Sequence, residues 1–267
     1  AVARMTGGLR GEGGVLYAEE EAYVPKLEAY HKKLDYSYAL GVFPALNLLE
    51  SRPQCARRLL LSPQGLGNEG VERLRERCRA LGIREEMAER VLMREAHKQN
   101  VFAALVFEKF QDQLRDEGPH VVLCQISDGG NLGTALRACL GFGVKDVAVI
   151  KPAVDAFEPK VIRASMGAAF RLRLHVYEHF DEYRAQFPAR NLYPFMLDGA
   201  VELEQAVAQK KQPFTLIFGN EASGLPPEFA RMGQSVLIPQ TNEVDSLNLS
   251  VSVGIGVYSF MREVPKR

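Results

Sequence analysis

Three short stretches of the 267-residue sequence combine glycines with polar side chains that could hold a ligand and act on it. The first is Ser127-Asp128-Gly129-Gly130-Asn131-Leu132-Gly133-Thr134-Ala135-Leu136-Arg137, where glycines let the backbone turn sharply and Asn131 and Arg137 offer hydrogen-bond donors. The second, Phe218-Gly219-Asn220-Glu221-Ala222-Ser223-Gly224-Leu225-Pro226, sets a carboxylate between two glycines. The third runs from Leu237-Ile238-Pro239 through Asp245 into Ser246-Leu247-Asn248-Leu249-Ser250-Val251. None of the three has the Gly-x-Gly-x-x-Gly or Gly-x-x-x-x-Gly-Lys spacing, so the usual dinucleotide and triphosphate cradles are disfavoured. Singly, each also has a plainer reading. The first is a tight turn, Ser223 and Glu221 are a helix cap and a first-turn acid, and Ser246 and Asn248 cap the last helix.

Each stretch follows an apolar run expected to form a strand, at 121–126, 214–218 and 235–238, and open α/β sheets bind ligands beyond the carboxyl ends of their strands. Further strands are expected at 146–150 and 192–197, with a helix over 134–140 and a closing helix from about 248 to 263. This alternation predicts an α/β fold with a mostly parallel sheet covered on both faces, spanning 118–267. Ahead of it, 36–112 reads as a smaller α/β module: a helix over 45–50, a strand over 58–62, an arginine-rich helix over 69–81 and a strand over 101–107. The polar stretch 111–120 is the linker candidate. Residues 1–35 read as an arm or an appended helix, with Tyr23, Leu27 and Tyr30 at helical spacing.

Lys plus Arg and Asp plus Glu both number 33, so net charge points to no partner and any basic surface must be local. The best local candidate carries Arg52, Arg57, Arg58, Arg73, Arg75, Arg77, Arg79 and Arg84 between Glu50 and Arg84, suited to phosphate contacts or to a solvated, ion-paired helix face. Cys55, Cys78, Cys124 and Cys139 lack a Cys-x-x-Cys pair and read as buried free thiols in a reducing cytoplasm. His175 and His179 fall in a strand-like alternation without an acidic third ligand, so no metal is expected. The first residues show no signal-peptide core and no stretch has the length of a membrane span, so no membrane is expected.

In this order and spacing the three stretches stop looking independent. Asn131-x-Gly133-x-x-x-Arg137 with Phe142-Gly143, Arg163-Ala164-Ser165-Met166-Gly167-Ala168, Phe218-Gly219-Asn220-Glu221-x-x-Gly224-Leu225, and Ile238-Pro239 followed by Ser246-Leu247-Asn248-Leu249-Ser250-Val251 together resemble the TrmH (SpoU) family of the SPOUT superfamily of RNA ribose 2′-O-methyltransferases. The resemblance covers roughly 121–263; the N-terminal module more loosely resembles the ribosomal-protein-like substrate-binding domain of many members. It implies a C-terminal domain tied in a deep trefoil knot, S-adenosylmethionine as cofactor, rRNA or tRNA as substrate, and a homodimer through the C-terminal domain. Leu197, Gly199, Phe218, Gly219, Asn220, Gly224, Ile238 and Leu247 would bind the cofactor, and Asn131, Arg137, Glu221, Ser246 and Asn248 align with the catalytic set. RNA would touch Arg73, Arg75, Arg77, Arg79 and Arg163. A non-catalytic RNA-binding relative that keeps the knot as a scaffold is the alternative; loss of Asn131 or Arg137 would favour it, and both are present.

Overall fold

The computed structural model describes residues 26–97, 100–241 and 243–262. The N-terminal part follows the order β1 (Tyr36–Leu40), α1 (Val42–Ser51), β2 (Ala56–Leu61), α2 (Glu69–Ala80), β3 (Arg84–Met87), α3 (Glu89–Ala96) and β4 (Ala103–Glu108). Its four strands lie in the order β1-β4-β2-β3, with β4 antiparallel to β1 and β2 and β3 parallel to β2. The arginine-rich helix α2 forms because Val71, Leu74 and Cys78 recur at helical spacing and bury one face. Asn68 caps it by accepting from the Gly70 and Val71 amides at 3.0 and 3.3 Å.

The C-terminal part continues with β5 (His120–Cys124), α4 (Gly129–Gly141), β6 (Asp146–Ile150), α5 (Pro159–Ala164), β7 (Arg173–Tyr177), α6 (Phe180–Gln186) and β8 (Asn191–Pro194). It ends with β9 (Val201–Glu202), α7 (Leu203–Ala208), β10 (Phe214–Phe218), β11 (Val236–Leu237) and α8 (Leu249–Met261). Strands β7-β6-β5-β10-β8 make one parallel sheet, and β9 pairs with β11 beside it. Every residue of β5, β6 and β10 is buried, as strands covered by helices on both faces must be. The chain runs outward from β5 through β6 to β7, then returns to the other side of β5 as β8 and β10. The order therefore reverses between β5 and β10, and the crevice at such a reversal is where α/β sheets place ligands.

The two sheets share a continuous apolar core that includes Leu48, Leu74 and Phe107 as well as Val121, Leu136 and Phe218. Arg52 ties them together, binding Asp112 through two 2.8 Å bonds, donating to the Phe170 and Leu172 carbonyls, and lying 4.0 Å from the centre of the Phe110 ring.

Of the two readings of residues 1–35, an arm or an appended helix, the described part carries no helix, and Tyr23 lies outside the described residues. Leu27 is buried against the cluster of Tyr38, Leu60 and Leu92, and Arg94 donates to the Glu28 carbonyl at 2.7 Å, so tertiary contacts replace the helical ones. Helix α4 begins at Gly129 rather than near residue 134, because Asp128 caps it and accepts from the Asn131 amide at 2.8 Å. Two other expected strands are shorter, ending at Pro194 and confined to Val236–Leu237. Three of the four cysteines are buried and Cys55 is half-buried; burial pushes the Cys78 thiol up to about 11 and those of Cys124 and Cys139 to about 12.

Candidate active site

The loops after β5 and β10 meet through one carboxylate. Glu221 accepts from the Ser127 hydroxyl at 3.1 Å, and from the Ser127 amide, the Asp128 amide and the Asn131 side chain at 3.3 Å each. Burial alone would raise its pKa. The hydrogen bonds from its own amide, the Ser127 amide, the Asn131 side chain and the Asp128 amide outweigh that and hold it below the usual carboxylate range. Asn220 holds the loop's other side, donating from Nδ2 to the Gln125 carbonyl at 2.7 Å and accepting from the Ala222 and Ser223 amides at Oδ1. Gln125, which the sequence did not single out, turns this corner at φ 57°.

The turn between Gly219 and Gly224 is backbone against backbone. Asn220 and Gly224 exchange amide–carbonyl bonds, and a Cβ on Gly219 would stand 2.5 Å from the Leu225 nitrogen. The third stretch joins at the start of α8: Asn248 donates from Nδ2 to Asn131 Oδ1 at 2.9 Å while its own Oδ1 accepts from the Ser250 amide and hydroxyl. Glu221, Asn131 and Asn248 are thus linked in series, drawn from three places far apart in the chain.

Beside this chain of bonds lies a cavity of about 270 Å³. Its wall includes Leu197, Phe218, Gly219, Asn220, Gly224, Ile238 and Leu247 among the residues expected to hold a cofactor, and Glu221 and Ser246 from the expected catalytic set. Gly199 is not on the wall. It packs instead against β11, where a Cβ would meet the Leu237 nitrogen at 2.5 Å, so its lack of a side chain serves the close approach of two chain segments. Leu225, part of the second stretch, also faces the cavity, as do Phe195, Gln240 and Ser252, which no motif marks.

Arg137 lies on the exposed face of α4 with no hydrogen-bond or ion-pair partner among the described residues. Asp128 and Lys160, outside the expected set, pair at 2.7 Å beside Asn131. The Lys160 ammonium and then the Asn131 amide hold the Asp128 carboxyl below its ordinary value, and Asp128 raises Lys160 in return. Asp128 three residues before Asn131 is a helix-start signal that could have found it. Arg163, half-buried, sits one turn after Lys160 on α5.

Of the four arginines on α2, Arg73 and Arg77 are exposed without ion-pair partners among the described residues. Arg75 is held between Glu72 and Glu85 at 3.0 and 2.6 Å, and Arg79 reaches Glu85 at 3.6 Å. His175 lies in β7, with Nδ1 bonded to the Asp112 carbonyl.

The protein is thus a parallel α/β protein whose pocket is walled largely by loop backbone, without a dinucleotide-type glycine fingerprint. The AdoMet-bound rRNA methyltransferase of Sinorhizobium meliloti superposes with a TM-score of 0.71 at 28% identity, over 84% of this chain and 86% of that one. An uncharacterized tRNA/rRNA methyltransferase of Synechocystis sp. is 30% identical over 170 residues, 61% of this chain and 60% of its own length, so the match spans less than two thirds of that relative. The 23S rRNA (guanosine-2′-O-)-methyltransferase RlmB of Acinetobacter baylyi is 25% identical over 85% of this chain and 97% of its own. Residues 118–258 match the SpoU rRNA Methylase family, and the chain belongs to that family.

Proposed function

We propose that this protein transfers a methyl group from S-adenosylmethionine to a ribose 2′-hydroxyl of rRNA or tRNA. The observation that carries the reading is the Glu221–Asn131–Asn248 linkage at the edge of a cavity walled by backbone. The names of the Sinorhizobium and Acinetobacter relatives agree with it. The cavity fits the cofactor: Leu197, Ile238 and Leu247 give apolar surface for a base, and the Gly219–Gly224 turn lets backbone amides and carbonyls reach a ligand's polar edge. When bound, the cofactor supplies an electrophilic methyl on a sulfonium.

The protein's own part is to align a ribose oxygen with that methyl, since in-line displacement gains most from proximity and orientation. Asn131, Ser246 and Asn248 would hold the ribose, while Glu221 fixes Asn131 and the 127–128 loop. Arg137 is taken as an electrostatic group rather than a base, because a guanidinium offers hydrogen-bond donors and no acceptor. Its charge would suit a neighbouring phosphate and the negative charge developing on the 2′-oxygen, whose proton would leave to solvent as the methyl's bond to sulfur gave way to the bond to oxygen. Arg137→Ala should keep cofactor binding by calorimetry and lose at least tenfold in methyl transfer, read by nucleoside mass spectrometry of RNA lacking the modification; unchanged turnover would remove this role.

The same reading takes 36–112 as a substrate-binding domain and 118–267 as the knotted methyltransferase domain, and places the protein in the cytoplasm, in keeping with its free cysteines. Arg73, Arg77 and Arg163 are the RNA contacts it favours, with Arg75 committed to Glu72 and Glu85. A homodimer would cover the exposed Val251 and Tyr258 of α8 and Phe142 after α4, whose ring lies 5.4 Å from that of Tyr258. Light scattering on Tyr258→Asp tests it: a monomer is expected, and an unaltered dimer would move the interface elsewhere.

A further inference from the structure

A second cavity, of about 310 Å³, lies in the N-terminal part, at the end of its sheet where β2 and β3 finish and β4 begins. It shares no lining residue with the first. Its volume is at the small end of ligand pockets, about 300–1,000 Å³, which suits one nucleoside better than a protein element. Leu92 and Phe102 give it an apolar wall, and four polar side chains converge on it: Ser62, Gln64, Glu89 and Asn100. Glu89, the first residue of α3, has one weak partner among the described residues, the Ser62 hydroxyl at 3.5 Å, and Ser62 also accepts from the Gln64 amide at 3.3 Å. The carboxylate thus keeps most of its acceptor capacity for a ligand. Arg90, which follows Glu89 in α3, and His97, at the end of that helix, are exposed.

We propose that this cavity takes a guanine base extruded from the RNA substrate, an inference that rests on the reading of the protein as an RNA-modifying enzyme. A carboxylate accepts two parallel hydrogen bonds, and among the four bases guanine alone presents adjacent N–H donors, from its ring nitrogen and its exocyclic amine, on one edge. The amides of Gln64 and Asn100 supply donors for the neighbouring guanine oxygen. The apolar wall supports the ring face, as proteins that read unpaired RNA bases do. Arg90, outside the cavity, meets the phosphate.

The test needs no methyl transfer. Amide shifts of the full-length protein are followed during titration with guanosine 5′-monophosphate, inosine 5′-monophosphate and adenosine 5′-monophosphate, without S-adenosylmethionine. Shifts at Gln64, Met93 and Phe102 are expected with the guanine nucleotide, at least threefold weaker binding with inosine, which lacks the exocyclic amine, and weaker still with adenine. Equal binding of all three, or shifts confined to the first cavity, would overturn the assignment. In a second arm, a hairpin RNA with one unpaired guanosine should bind about tenfold tighter than its inosine counterpart. Glu89→Gln should erase that difference without lowering the melting temperature. A free guanine nucleotide that binds while the two hairpins bind alike would also overturn it. Failure of the methyltransferase reading would show separately, as absent product with these binding preferences intact.

Discussion

Removing the Glu221 carboxylate tests whether the site is held together as described. Glu221 collects five hydrogen bonds: from the Ser127 amide and hydroxyl, the Asp128 amide, and the side chains of Asn131 and Asn220. All lie between 3.1 and 3.4 Å, the long end of the range, so each is counted near the low end of the usual net contribution, about 0.5 kcal/mol. The sum is about 2 to 3 kcal/mol. Water reaching the loop after truncation recovers part of it, leaving about 2 kcal/mol, or roughly a thirtyfold shift in the equilibrium between closed and open loop. Glu221→Ala should therefore speed amide hydrogen exchange at Ser127 and Asp128 about thirtyfold while β5 and β6 keep their protection. Glu221→Gln, which retains one acceptor oxygen and loses the charge, should fall between, at about fivefold. Exchange at both amides within twofold of the parent in the alanine variant would refute the idea that this carboxylate fastens the two loops.

Three further perturbations have definite expected outcomes. His120 is fully buried in a directed chain: Arg190 donates to Thr215, Thr215 to Tyr183, Tyr183 to His120 Nδ1, and His120 Nε2 to the Arg115 carbonyl. Burial first, and then the Arg190 charge, lowers the imidazole pKa to about 4, so the unfolded chain takes up the proton earlier. This contribution to stability is complete above about pH 6.5 and is lost as pH falls towards 4, by up to about 3 kcal/mol; denaturation of His120→Gln at pH 7 and 4.5 should show a flatter dependence, and an unchanged slope would discount it. Gly133→Val should cost about 1–3 kcal/mol by chemical denaturation, because a Cβ there would stand 2.6 Å from the Ala164 Cβ and the Val161 carbonyl oxygen; a neutral result would mean α4 can shift freely on α5. Arg73→Glu with Arg77→Glu should weaken RNA binding and flatten its salt dependence by about 0.7–0.9 in slope per lost contact, whereas an unaltered salt slope would leave α2 a purely structural helix.

The parallel sheet was legible because buried strands leave unbroken apolar runs: Val121-Val122-Leu123 and Phe214-Thr215-Leu216-Ile217-Phe218 need nothing else to be recognised. Other elements carry no such mark. β3 is Arg-Glu-Glu-Met, a strand because its backbone completes the edge beside β2 while Arg75 and Arg58 pair with its glutamates. The helices α5, α6 and α7 run six to seven residues and depend on packing rather than pattern. At α4 two of the glycines that mislead propensity, Gly129 and Gly133, let it approach α5 closely, so tertiary demand overrode local preference at the edge of the site.

The site itself shows why sequence left two readings open. Read locally, Asn248 is a cap, and it is one, its Oδ1 accepting from the Ser250 amide; in the second stretch it is Asn220, rather than Ser223, whose side chain accepts from the local amides, those of Ala222 and Ser223. Yet a carboxamide has a second end. Asn248 Nδ2 reaches Asn131 and Asn220 Nδ2 reaches the Gln125 carbonyl, across 117 and 95 residues of chain. Capping and site-building are thus done by opposite ends of the same side chain, and the cap is what orients the donating end, since the acceptor end is fixed to a helix or turn of known direction. Serine in place of Asn248 would keep the cap and lose the donor to Asn131. An asparagine that caps in this fold therefore carries information about a distant partner that no local pattern contains, and it becomes readable once the crevice between β5 and β10 has brought the two loops into reach.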